Sequence, residues 1–413
     1  MRNVPKLRFK EFSGEWEEKK FDEVFSFLQN NTFSRDCLTN EKQDVQNIHY
    51  GDILVKYNDI LEIDDKIPYI KKENSLEKFN SESYLKTGDI VIADTAEDFT
   101  VGKTIEIYNP EQKKVLSGLH TFSCKTNFDF ALGYLGQYLN TEKYHSQLIP
   151  LITGIKVSSI SKNSIKGTKI SFPIIKEQQK IADFLSSVDK KIAITEEKLD
   201  LFKDYKKGVM QKIFNQELRF KDCEGNNYPE WEEKRLGDFI VEYNEKTTKN
   251  NQYPVLTSSR KGIFLQKDYF AGQDVASEDT TGYNIVPRGY FTYRHMSDDL
   301  IFKFNINNIV DNGIVSTLYP VFTTKNINDI FLKEKLNNGN EFKKYSLFQK
   351  QGGSRTYMYL SKLLKLKLFL PCLEEQQKIA DFLSSIDNKI DNLATELEDL
   401  KEFKKGLLQQ MFV

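Results

Sequence analysis

Near the end of the chain, apolar residues fall at Ile379, Leu383, Ile386, Ile390, Leu393, Leu397, Leu400, Leu407 and Met411, at steps that alternate four and three. That spacing is the signature of a helix with one narrow apolar seam. The same spacing runs through Ile181, Leu185, Val188, Ile192, Leu199, Phe202, Val209 and Ile213. Lys404 interrupts the later seam, and Thr195 and Lys206 interrupt the earlier one. The flanks are charged, with Lys190, Lys191, Glu196, Glu197 and Lys198 on one helix and Asp391, Glu396, Glu398 and Asp399 on the other. The pattern predicts two helices of about 38 residues, each roughly 55–60 Å long. A narrow seam kept over several heptads suits a partner helix better than a broad core, so the two are expected to pair. The competing arrangement packs each helix on its own globular part.

The two stretches are copies. Glu177–Ser187 and Glu375–Ser385 carry the identical run EQQKIADFLSS, and the likeness continues to Phe214 and Phe412 with about 21 of 38 positions the same. Pro173 and Pro371 stand at the same place before each copy. The front of each half repeats as well: Leu7-Arg8-Phe9-Lys10 returns as Leu218-Arg219-Phe220-Lys221, and Trp16-Glu17-Glu18-Lys19 as Trp231-Glu232-Glu233-Lys234. These are the chain's only two tryptophans, each expected to anchor a packed corner. An internal duplication follows.

Between the copies the likeness is faint. A glycine turn opens a strand-like run at Gly88–Ile92 and again at Gly289–Tyr293. Leu116–Phe122 resembles Val315–Tyr319 with Phe322 beyond, and Leu139-Asn140 matches Leu336-Asn337 at the end of a short helical stretch. A glycine-bearing loop follows in each half, Thr153-Gly154-Ile155-Lys156 and Gly352-Gly353-Ser354-Arg355. The expected architecture is α/β (α+β): two similar mixed domains and two long helices expected to pair, with a pseudo-twofold internal repeat. The expected boundaries are an N-terminal arm at 1–19, a first domain at 20–172, a central helix at 173–215, a second arm at 216–235, a second domain at 236–370 and a C-terminal helix at 371–413.

Composition narrows the function. With 413 residues the chain can bury substantial cores. Its formal net charge of −1 means that any nucleic acid must be met by local basic patches. The four cysteines are scattered, there is no apolar leader, and no run approaches a membrane span, so a cytoplasmic protein with no membrane partner is expected.

Catalytic signatures fail on inspection. Gly102-Lys103-Thr104 resembles the end of a phosphate-binding loop, but Glu97 occupies the place of its first glycine and would repel the phosphate. Asn109-Pro110-Glu111 lacks the second proline and the aromatic of amino-methyltransferases. The four histidines have no metal-ligand spacing, and Glu196-Glu197-Lys198, which could fit part of a nuclease signature, lies in the helical heptads, where such charges face solvent. No catalytic residue and no metal ligand is assigned.

Binding chemistry is richer. Ser258-Ser259-Arg260-Lys261-Gly262 reads as a small, basic loop after a strand-like Tyr253–Leu256. Arg288 precedes the Gly289 turn, Arg294 and His295 end the following strand, and Arg355 lies in the glycine-rich loop. The matching loops of the first half offer Tyr50-Gly51-Asp52, Thr100 with Lys103, and Lys156 with Ser158. Arginine can grip guanine edges with two hydrogen bonds, and lysine and serine hold phosphates. Each residue alone competes with an ordinary surface role; their recurrence at corresponding places points to a shared DNA-binding face.

With both Pro-x-x-x-Glu-Gln-Gln-Lys-Ile-Ala runs and the paired Leu-Arg-Phe and Trp-Glu-Glu segments in place, the whole chain resembles the specificity subunit of a type I restriction–modification enzyme. The resemblance implies two target-recognition domains that each read one part of a split, asymmetric sequence in double-stranded DNA, separated by the two long helices as an antiparallel coiled coil. It also implies docking of two methyltransferase subunits, which carry S-adenosylmethionine, and of two motor-nuclease subunits, which use ATP and Mg. The chain itself would be non-catalytic and hold no cofactor. A coiled-coil scaffold without DNA readout and an unrecognised nuclease are the alternatives.

Overall fold

A computed structural model describes residues 3–109, 111–154, 156–272, 276–350 and 355–413. Two compact units form, one from Met1–Glu197 with Ala394–Val413, the other from Lys198–Leu393. The two repeated stretches are continuous helices, Ile175–Phe214 and Leu373–Met411, and each contributes one half to each unit.

In the first unit a five-stranded sheet has the order Phe25–Phe27, Thr121–Thr126, Ile90–Ala93, Thr104–Tyr108, Ile60–Glu62, with only the last pair parallel. In the second unit a sheet runs Ile240–Tyr243, Val321–Thr324, Phe291–Thr292, Asn305–Ile306, all antiparallel. The first four strands thus share one order. Gly88 and Gly289, at φ of 89° and 84°, make the turns that feed the equivalent strands, a backbone shape that suits glycine. Asn140 and Asn337 do one job: Asn140 accepts from Thr104 N (2.9 Å) and donates to Thr104 O (2.7 Å), while Asn337 exchanges the same pair with Phe304 at 2.9 Å each. The first unit adds a four-stranded sheet, Val115–Ser117, Gln46–Ile48, Tyr69–Ile70, Leu38–Thr39.

The conserved-looking motifs are each other's partners. Arg8 donates to both oxygens of Glu177 at 2.7 Å, and Arg219 to both of Glu375 at 3.2 and 2.9 Å, the two carboxylates being 1% and 0% exposed. Gln178 and Gln376 each donate to the carbonyl of the preceding proline, Pro173 or Pro371, at 2.8 and 2.9 Å. Their oxygens accept backbone N–H from Ala131 and Asn328. Phe9 meets Phe184 edge-on, as Phe220 meets Phe382. A carboxylate taken out of water needs such pairing to offset its lost hydration, which explains why arm and helix are duplicated together.

Both arrangements weighed for the helices coexist. In the first unit Ile181, Leu185 and Val188 share one core with Leu407, Met411, Phe412 and the domain residues Trp16, Tyr134 and Leu135. In the second, Val209, Ile213, Phe214, Ile379, Leu383 and Ile386 share a core with Trp231, Phe291 and Phe331. Each helix therefore packs on a domain and on the other helix at once. Leu199 and Leu397 are also buried, whereas Ile192, Phe202, Ile390, Leu393 and Leu400 are half-buried. The interrupting lysines are employed: Lys404 Nζ lies 2.7 Å from Asp189 and 2.9 Å from Asp59, and Lys206 Nζ lies 2.7 Å from Asp387. Burial lowers the Lys404 pKa, but Asp59 and Asp189 outweigh it and hold the group above its usual value. Lys191–Glu396 and Lys401–Glu196 add two exposed pairs across the helices in the first unit. The cores carry the direction: early Ile181 and Leu185 share one with late Leu407 and Met411, and late Val209 and Ile213 share one with early Ile379 and Leu383, as antiparallel helices require.

Candidate nucleic-acid interface

In both units the strand after the glycine turn ends at a small constellation fixed by the same backbone bonds. Asp94 N donates to His120 O (3.1 Å) and Asp94 O accepts from Ile160 N (2.9 Å). In the second unit His295 N donates to Leu318 O (3.2 Å) and His295 O accepts from Met358 N (2.7 Å). Short ladders continue each: Thr95–Ala96 with Ser158–Ser159, and Met296–Ser297 with Thr356–Tyr357. In the first unit the opposite end of the same strand pair, at Thr126, leads to Ala131 and thence to Gln178 of the long helix. The constellation is thus at the sheet end away from that helix.

The side chains placed there differ. In the second unit a cleft of about 230 Å³ is lined by Ser259, Arg260, Arg294, Asp298, Lys303 and Tyr319 among others. Arg260 pairs with Asp299 (2.7 Å) and Arg355 with Asp298 (2.9 Å), whereas exposed Arg294 has no hydrogen-bonding or ion-pair partner among the described residues. The buried His295 ring stacks on Tyr359 (4.9 Å between centroids), which in turn stacks on the half-exposed Tyr357. Lys261 is exposed at the tip of a hairpin. Arg288 lies before the strand Phe291–Thr292 and Arg294 after it, so the structure does not bring Arg288 to the cleft; Arg288 pairs with Asp311 (3.0 Å).

One local expectation is corrected. The strand runs Leu256–Ser259 rather than Tyr253–Leu256, so Ser258 and Ser259 lie on the ladder and not in a loop. Pro254 has no N–H to give to a ladder, and Arg260-Lys261 form the two-residue connection to Gly262–Leu265.

In the first unit Tyr50 and Ser158 approach one another through His120 and Thr95. The Tyr50 and His120 rings lie 5.2 Å apart, His120 Nδ1 is 3.3 Å from Thr95 Oγ1, and Thr95 pairs with Ser159. Lys156 is exposed beside this ladder. Thr100 hydrogen-bonds its neighbour Asp98. Lys103 is committed elsewhere: its Nζ donates to Leu54 O (3.2 Å) and Tyr57 O (3.0 Å), closing the helix Tyr50–Val55, and burial lowers its pKa. Ile155 and Gly352-Gly353-Ser354 lie outside the described residues.

Sequence reasoning singled out Tyr50-Gly51-Asp52 but passed over Arg35, His49 and His120 as parts of the same site. No local motif marks them, because a 3-10 turn, a helix start and a strand connection bring them together from separate stretches. Among the described residues no group of three or more His, Cys, Asp or Glu could hold a metal ion, and no helix is long and apolar enough to cross a membrane.

A family model described as the type I restriction modification DNA specificity domain matches residues 13–202 and again 228–402. The chain is 25% identical over 442 positions to the type I restriction enzyme MjaX specificity subunit of Methanocaldococcus jannaschii, spanning 98% of this chain and 95% of that one. The MjaVIII specificity subunit of the same organism is 26% identical over 279 positions, 62% of this chain and 64% of its own. Among solved structures, the type I restriction–modification S subunit from M. genitalium superposes with a TM-score of 0.56 at 14% identity, covering 99% of both chains. A second, from work on complex assembly and conformational transition of the type I restriction–modification system, gives 0.54 at 15% identity, covering 96% of this chain and 97% of that one. At these identities the two structures speak to the fold.

Proposed function

The chain belongs to the type I restriction modification DNA specificity family, and from that premise we propose that it is the subunit that chooses the DNA sequence on which its complex acts. The observation that carries this reading is one frame used twice. Equivalent backbone bonds fix the strand ends Asp94/His120 and His295/Leu318, while the residues at these corresponding positions differ. Two readers of different half-sequences need that combination, and a scaffold does not.

Each unit reads one part of a two-part, asymmetric target in double-stranded DNA. The gap between the two parts follows helix length, so inserting or deleting a few residues in both helices should change the gap and leave either half-sequence as it is. The twice-built surface of arm and helix receives two methyltransferase subunits, and two motor-nuclease subunits join them. The chain contributes no chemistry: S-adenosylmethionine belongs to the methyltransferase subunits, ATP and Mg to the motors. A net charge of −1 and arginines already held by Asp298, Asp299 and Asp311 predict weak DNA binding by the chain alone, with the partners supplying much of the phosphate contact.

The test is an exchange of residues 20–172 for the corresponding part of a relative, followed by mapping of methylated adenines in cells. One half of a gapped motif should change and the other stay. An unchanged motif would return the chain to a scaffold.

A further inference from the structure

Arg35 stands in a 3-10 turn, Arg35–Cys37, and its Nη1 donates to Asp52 Oδ2 at 2.6 Å. Asp52 is 1% exposed while the Arg35 side chain is 49% exposed, so a guanidinium at the surface is held from behind by a carboxylate in the interior. Lys56 Nζ lies 2.9 Å from the other oxygen of Asp52. Burial pushes the Asp52 pKa up, but Arg35 and Lys56 outweigh it and keep the carboxylate ionised below its usual range. Asp52 therefore already has a cation besides Arg35.

Around the guanidinium stand rings. His49 Nδ1 accepts from Gly51 N (3.2 Å) and lies 3.4 Å from Arg35 Nη2, and its pKa is lowered by burial and then by Arg35, so the ring is neutral. The His49 ring lies 4.7 Å from that of Tyr50, which meets His120. His120 holds a φ of 55°, uncommon outside glycine, in the connection between Val115–Ser117 and Thr121–Thr126. Gly118 brings that connection in, since a side chain there would come within 2.6 Å of Ile48 O. These groups lie at the sheet end away from the long helix.

We propose that Arg35 is the base-reading side chain of the first unit, aimed by Asp52 at the major-groove edge of a guanine, with Tyr50 and His120 flanking it. The assignment rests on the DNA-reading function above. Of the five N–H donors of an arginine, Arg35 spends one on Asp52 and points a second at His49, and the rest have no partner among the described residues. A guanidinium anchored on one edge keeps another free for guanine O6 and N7, and the anchor removes the rotamer freedom that otherwise weakens such a contact. Asp52 is then a positioning residue.

The experiment uses the full chain with the methyltransferase subunits of its system in cells and maps adenine methylation for wild type, Arg35→Lys, Arg35→Ala and Asp52→Asn. Arg35→Lys and Arg35→Ala are expected to relax one guanine of the half-site read by residues 20–172. Methylation at sites carrying another base there should rise about tenfold or more relative to cognate sites, with the other half-site untouched. Asp52→Asn should relax the same position more weakly. An unchanged motif, a uniform fall across all sites as for a phosphate contact, or equal damage to both half-sites would each overturn the proposal. If the wild-type complex yields no two-part motif, the function proposed above fails first and takes Arg35 with it.

Discussion

In the second unit Glu375 accepts hydrogen bonds from Arg219 and from Trp231 Nε1 (3.2 Å). In the first, the equivalent Glu177 accepts them from Arg8, and the buried Trp16 Nε1 has no partner. The sheets differ too: Glu106, on Thr104–Tyr108, is buried and accepts from Gly133 N (2.9 Å) and Gly136 N (2.8 Å). The place corresponding to Glu106 in the second unit falls at Ile306, an apolar side chain. The contrast teaches that the duplication preserves the joint between arm and helix, where a buried charge tolerates little change, and lets each domain settle its interior separately.

Each unit holds one of the two tryptophans, so Trp16→Phe and Trp231→Phe backgrounds report the units separately in urea unfolding followed by fluorescence. The largest effect is expected from Glu375→Ala, at about 3–5 kcal/mol in the second unit, because it strands a buried arginine contact and an indole N–H. Glu177→Ala strands only Arg8 and should cost the first unit less; an equal or reversed order would break the comparison.

Next comes pH. Burial raises the Glu106 pKa to about 7 against the two backbone N–H groups that pull it down. The folded unit then binds a proton that the unfolded chain has released between the ordinary carboxylate range and pH 7. Stability from this group is present at acid pH and lost as pH rises through that window, by about 3 kcal/mol at most. The first unit should show this slope, together with a smaller one of the same sign from Asp89, whose carboxyl burial raises to about 6; Glu106→Gln should remove the larger share, and the second unit should lack any counterpart from Ile306.

The smallest differences are on the helices. Lys404→Glu, which opposes Asp189 and Asp59, should cost about 2 kcal/mol, with partial recovery on adding Asp189→Lys. Lys191→Glu, opposite Glu396 in the exposed pair, should shift stability by no more than about 0.5 kcal/mol. Comparable values for the two would remove the role of the buried pairs in fixing the helix register.

The long helices, their pairing and the duplication were legible: the heptad seam records the pairing, and identical stretches encode identical contacts, Arg8 with Glu177 and Arg219 with Glu375. Asn140 and Asn337 were visible for the same reason. The seam lysines read as interruptions, since their aspartate partners lie on the other helix or, for Asp59, in the first domain, and no single helical pattern shows them. The faces were less legible. Ser258 and Ser259 joined a strand because pairing begins beyond Pro254, Lys103 turned to helix carbonyls, and Arg35 and His120 met Tyr50 only through a close approach at Gly118. Side-chain chemistry was readable there; its direction depended on backbone turns that hydrophobic periodicity does not record.

In the second unit Leu218 N donates to Lys212 O (3.1 Å) where the first helix runs on into the second arm; in the first unit Leu7 N donates to Gln410 O (2.9 Å) at the equivalent place, although the two segments come from distant parts of the sequence. The seating of an arm on a helix end is therefore a property of the two surfaces and not of the peptide link between them: one unit makes at long range the same joint that the other makes along a continuous run of chain.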